Sequence, residues 1–186
     1  MAVEKSPVQW ALTPLKKYAQ FSGRAPRAEF WWFTLFVMII YLAMSFLLIG
    51  SIGSLAAGGA DPSTGAMGAL GMGAMLIGVF WLAILIPTFA VQTRRLHDTN
   101  RSGWWLVGFY ALYAVYMVMS FSTVMTVDPT SAAEPNMGAL GMTMILALIM
   151  MVYGIVLLVF NCLPGTSGPN NYGPDPYGAD VEQVFA

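Results

Sequence analysis

The chain has 186 residues, 58% of them hydrophobic and 9% charged, against roughly a quarter charged in an ordinary soluble domain. So few charges cannot cover a water-facing surface, and a mean hydropathy of +0.68 agrees. The net charge is −1, and the one cysteine, Cys162, excludes an intramolecular disulfide and any multi-cysteine metal site.

No charged residue falls between Glu29 and Asp61, Asp61 and Arg94, Arg101 and Asp128, or Glu134 and Asp175. Each interval exceeds the roughly 20 residues a helix needs to cross about 30 Å of hydrocarbon. The runs are continuous rather than alternating, which argues against a barrel. The predicted fold class is therefore all-α: a polytopic membrane protein with four transmembrane helices plus a short N-terminal interfacial helix.

In chain order, residues 1–27 form an N-terminal segment, and Thr13-Pro14 is an N-cap and first-turn signal for a short helix through about Phe21. Leu15, Tyr18 and Phe21 would dip into the membrane while Lys16 and Lys17 face lipid phosphates. A transmembrane domain over 28–163 holds spans at about 30–50, 73–91, 104–126 and 139–163. Aromatic pairs open the first and third of these, Trp31-Trp32 and Trp104-Trp105, at headgroup level. Pro87 removes a backbone bond in the second span and predicts a kink, and Ala69/Gly73 and Ala74/Gly78 would permit close helix contact. The loop over 51–71, rich in Gly, Ala and Ser, predicts flexibility or a weak helical extension. Residues 164–186 form a tail whose Pro, Gly and Asn predict consecutive turns or an extended strap, capping helix ends or docking on the charged motifs.

The hexapeptide MGALGM occurs at 67–72 and again at 137–142, each time after an acid-proline loop. These copies lie 70 positions apart and the tryptophan pairs 73, which suggests two helical hairpins related by a parallel repeat.

All 8 Lys and Arg fall before the first span or between the second and third, while the other two loops carry only Asp61, Asp128 and Glu134. The positive-inside rule therefore places both termini of a multi-pass membrane protein in the cytoplasm. No cleavable signal is expected, because the first apolar run is too long and lacks a small-x-small site.

Two cytoplasmic segments stand out, FSGRAPRAEFW over 21–31 and RRLHDTNRSGWW over 94–105. Glu29 and Asp98 have Arg24, Arg27, Arg94, Arg95 and Arg101 as potential partners, and the planar guanidinium bridges carboxylate and phosphate. The expectation is a clasp joining the start of the first span to the loop between the second and third. These residues with the closing PGTSGPNNYGPDP resemble the bacterial inner-membrane family catalogued as domain of unknown function 805, the YhaH type, over about 10–178. The match takes in Phe21, Gly23, Arg24, Arg27, Glu29, Phe30 and Trp31, then Arg94 to Asp98 and Ser102 to Trp105, then Pro164, Gly165, Thr166, Gly168, Asn170, Tyr172, Gly173, Asp175 and Pro176. The resemblance implies a small multi-spanning membrane protein and no activity.

His97 beside Asp98 invites a general-base reading, but adjacent helical residues point about 100° apart and form no dyad by themselves. No nucleophile sits in a recognisable elbow, so no enzyme is expected and no catalytic residue is assigned. Anionic lipid headgroups or a partner protein would bind through Arg24, Arg27, Glu29, Arg94, Arg95, His97, Asp98 and Arg101. Met67, Met72, Met75, Met137, Met142 and Met144 raise soft-metal transport, yet Met is also a common gap filler, and no metal or cofactor is expected. No ionisable group lies at mid-depth in the spans. A structural or partner-binding role is thus favoured over a small-solute or lipid transporter or an oligomeric channel. The partners expected are the lipid bilayer and a protein or second copy, with no nucleic acid.

Overall fold

The computed structural model describes residues 5–57, 67–125 and 137–177. Among them are five helices: α1, Pro7–Lys16; α2, Arg27–Ala57; α3, Met67–Asp98; α4, Trp104–Met125; and α5, Met137–Cys162. The last four are long and apolar enough to cross a membrane. Their outer surfaces fit a lipid solvent, since Phe46, Leu82 and Val118 are 78%, 71% and 69% exposed, an arrangement water would penalise heavily.

The short helix begins earlier than Thr13-Pro14 predicts. Ser6 and Gln9 form a reciprocal capping box, with Gln9 N–H donating to Ser6 Oγ at 3.3 Å and Ser6 N–H to Gln9 Oε1 at 2.9 Å. Pro7 takes the first helical position, where its missing N–H is no loss, and Pro14 lies inside the helix near its end. Helix α1 packs chiefly on α2, where Ala11 and Leu12 share a groove with Trp32, Leu35 and Phe36.

Helices α2 and α3 form one hairpin and α4 and α5 the other, and α3 joins the two. Each MGALGM copy opens the second helix of its hairpin. Close approach in the first hairpin falls at Gly73, where a Cβ would sit 2.1 Å from a Leu48 methyl. Gly78 faces open space, so that small-residue pair makes no such contact. In the second hairpin, Gly108 admits the ring of Tyr153, whose hydroxyl donates to the Trp105 carbonyl at 2.8 Å. Met72, Met75, Met137, Met142 and Met144 are exposed on the helix surfaces rather than packed together. Asp61, Asp128 and Glu134 lie outside the described residues.

Pro87 leaves the Ala83 carbonyl without its usual helical donor. Tyr18, just beyond α1, supplies one, its hydroxyl donating to Ala83 O at 2.7 Å. Tyr18→Phe is therefore expected to lower stability by about 1 kcal/mol, read as the unfolding midpoint in detergent. An unchanged midpoint would show that the carbonyl finds another donor.

Candidate functional site

The second span does not stop where its apolar run does. Helix α3 continues through the whole of RRLHD to Asp98, so this motif is the last turns of a helix rather than a loop. A Schellman ending explains the stop: Arg101 N–H donates to Leu96 O at 2.9 Å and Asn100 N–H to His97 O at 3.0 Å. Asn100 adopts the left-handed φ of 57° that this cap requires. Ser102 then caps α4 through the Trp104 amide, leaving a connection of five residues, 99–103.

Two buried charge clusters, holding three buried ion pairs, form at this end. Arg94 Nη1 donates to Glu29 Oε1 at 2.6 Å, tying the end of α3 to the first turn of α2, and Lys17 Nζ stands 3.7 Å from Glu29 Oε2. The signs suit the helix ends, with an acid at an N-terminus and a base at a C-terminus. Arg94 Nε and Nη2 are buried without a partner among the described residues, so this cluster is the less completely satisfied of the two. The second centres on Asp98, which is 1% exposed. Arg24 Nε donates to Asp98 Oδ1 at 2.9 Å, and Arg95 Nη1 donates to Asp98 Oδ2.

Both guanidiniums reach beyond that carboxylate. Arg95 donates to the Asn161 and Leu163 carbonyls, capping the C-terminal end of α5 with a cation. Arg24 donates to the Gly168 and Thr166 carbonyls and thereby holds the C-terminal segment. That segment in turn caps α3. Thr166 donates from its amide at 2.9 Å to Asp98 O, and Asn170 Nδ2 donates to His97 O at 2.9 Å. Tyr172 stacks on His97 with centroids 3.9 Å apart and planes 5° from parallel. The segment is shaped by Asp175, which accepts from the Gly168 and Tyr177 amides at 2.9 Å each. The Tyr177 amide first, and the Gly168 amide with it, hold the Asp175 carboxyl below its ordinary range.

The eight candidate residues thus divide. Arg24, Glu29, Arg94, Arg95 and Asp98 are buried inside the clasp. His97 is half-buried, its Nδ1 3.2 Å from Gly23 O, and its ring does not meet the Asp98 carboxylate. Arg101 lies 4.0 Å over the Phe160 ring and donates to Thr99 O at 3.3 Å. Arg27, exposed at the start of α2, makes no hydrogen bond or ion pair among the described residues. It borders a cleft of about 230 Å³ with Arg24, Ser167, Asp175 and Tyr177. Sequence reasoning placed Gly165, Thr166, Asn170, Tyr172 and Asp175 in the closing motif and expected that tail to cap helix ends or dock on the charged motifs, but did not count them among the binding candidates; Asn161 had no assigned role, and Lys17 was expected to face lipid phosphates rather than Glu29.

Four long apolar helices, with α2 and α3 tied at one end by buried ion pairs, define a small multi-pass membrane protein. The chain belongs to the family described as "Protein of unknown function (DUF805)", whose model matches residues 18–174. Two of its curated relatives are the inner membrane proteins YhaH and YhaI of Escherichia coli strain K12. The first is 31% identical over 169 residues, covering 91% of this chain and 97% of the relative. The second is 31% identical over 170 residues, covering 91% and 96%. No solved structure matches. The protein is accordingly a multi-pass inner membrane protein in a lipid bilayer.

Proposed function

We propose that the clasp faces the cytoplasm and serves as a rigid, non-catalytic platform on which Arg27, a motif arginine uncommitted among the described residues, takes the phosphate of an anionic lipid headgroup. The orientation is supported by the charges: all 8 Lys and Arg precede the first span or lie between the second and third, and both connections at the other end lack them. The observation that carries the binding reading is the contrast among the arginines. Arg24, Arg94 and Arg95 are engaged by buried carboxylates, whereas Arg27 stands exposed at the rim of the cleft that Ser167 also lines.

A non-catalytic role is supported by the state of the ionisable groups. Asp98 lies between two guanidiniums and His97 is stacked under Tyr172, so neither is positioned as the other's partner in proton transfer. Transport gains no specific support, since the sizeable apolar concavities lie between neighbouring helices.

Native mass spectrometry of the detergent-purified protein with added phosphatidylglycerol or cardiolipin tests the reading. Arg27→Gln is expected to weaken retention about fivefold, from the roughly 1 kcal/mol a surface cation contributes, with no change in melting. Equal retention by the variant would sink the lipid reading. Retention of an acidic protein instead of lipid would redirect Arg27 to a protein partner.

A further inference from the structure

A groove of about 760 Å³ lies between α3 and α4, apart from the cleft at Arg27. Its α3 wall carries a stripe, Leu85, Phe89, Thr93 and His97, spaced one turn apart, with Ile86 next to Leu85. At 1.5 Å per residue that stripe is about 18 Å long, running from the membrane interior to the clasp. Tyr110 of α4 closes the apolar part against Phe89, with ring centroids 4.4 Å apart. The groove is therefore mostly apolar, with the Tyr110 phenol part-way along it, and its polar side chains Thr93, His97 and Ser102 line the end nearest the clasp.

The polar end has a defined hydrogen-bonding character. His97 Nδ1 lies 3.2 Å from the Gly23 carbonyl, which only accepts, so Nδ1 carries the proton and Nε2 of the neutral ring offers a lone pair. No hydrogen bond engages Nε2 among the described residues. Ser102 Oγ accepts from the Trp104 amide at 3.3 Å and keeps its own proton to donate. Among the described residues no Lys, Arg, Asp or Glu lines the groove. A phosphate would meet no cation there, whereas a hydroxyl beside an ester carbonyl would meet an acceptor and a donor.

We infer that this groove holds one chain of diacylglycerol, with its free hydroxyl donating to His97 Nε2 and an ester carbonyl accepting from Ser102. The second chain lies in the surrounding bilayer. This inference does not rest on the role proposed for Arg27, because the two sites share no lining residue.

The test is photolabelling of the full-length protein in micelles with diacylglycerol carrying a mid-chain diazirine, with labelled peptides mapped by mass spectrometry. Label is expected on the stretches around Leu85 to Phe89 and Val107 to Ala111. Unlabelled diacylglycerol should displace it about fivefold better than triacylglycerol, which lacks the hydroxyl, the difference corresponding to one neutral hydrogen bond. Phosphatidate of the same chains should compete poorly. His97→Phe, which keeps a ring for Tyr172 to stack on, should abolish the preference over triacylglycerol. Ala111→Trp, remote from the clasp, should remove the label at unchanged melting temperature and decides the matter if His97→Phe does not fold. Label spread evenly over α2 and α5, or equal competition by phosphatidate, would overturn the inference.

Discussion

Asp98→Ala is expected to lower stability by about 3–5 kcal/mol, the usual consequence of removing one partner from a buried charge cluster. The carboxylate is 1% exposed and accepts from both Arg24 and Arg95, so its loss strands two guanidiniums where water does not reach. Each of those arginines also holds a second element, Arg24 the C-terminal segment and Arg95 the end of α5. Asp98 therefore sets the geometry of the N-terminal motif, the end of α3 and the closing motif together. Equilibrium unfolding in mixed detergent micelles, followed by circular dichroism, measures the loss. A change below about 1 kcal/mol, the value typical of an exposed pair, would mean that the cluster is wet and the clasp loose.

The second large effect belongs to a glycine. A Cβ on Gly165 would lie 2.3 Å from Asp98 Oδ2 and 2.7 Å from its Cγ. The carboxylate cannot swing away, since Arg24 and Arg95 hold its two oxygens. Gly165→Ala must therefore lift the C-terminal segment or break an ion pair, and is expected to destabilise by about 3 kcal/mol, the upper part of the overpacking range. Gly165 is not among the positive-φ residues, unlike Gly168 at 74° and Gly173 at 143°, so its requirement is steric. Combining Gly165→Ala with Asp98→Ala should then cost clearly less than the two changes separately, with a coupling of about 1–3 kcal/mol. Strict additivity in this cycle would refute the contact.

The membrane architecture was readable from charge placement. A charge at mid-bilayer costs several kcal/mol, so intervals free of charge mark the spans, and each one contains a long helix. The ends were read less well, for particular reasons. The second span was drawn to about residue 91 because Arg94 and Arg95 look like the start of an aqueous loop, yet both are neutralised inside the protein and the helix runs on to Asp98. Thr13-Pro14 drew the first helix too late because the Ser6 and Gln9 capping box, four residues spanning both its members, fixes the start more strongly than a lone proline.

The clasp was anticipated as a meeting of motifs but not as a set of pairings. Several arginines and two carboxylates allow many combinations, and nothing in residue order assigns Arg94 to Glu29 or gives Asp98 to Arg24 and Arg95 at once. Only the packing of α2, α3 and α5 decides which guanidinium is buried and which, like Arg27, is left at the rim. The stacking of Tyr172 on His97 and the capping of α3 by Thr166 and Asn170 likewise join positions some 70 residues apart, beyond the reach of local pattern. By itself the sequence determined the four spans and the charged end that joins them, because transfer of charge into hydrocarbon is penalised residue by residue. The tertiary structure alone decided the ion pairs, the fit of Gly165 and the groove beside His97, because these depend on which surfaces the helices bring into contact.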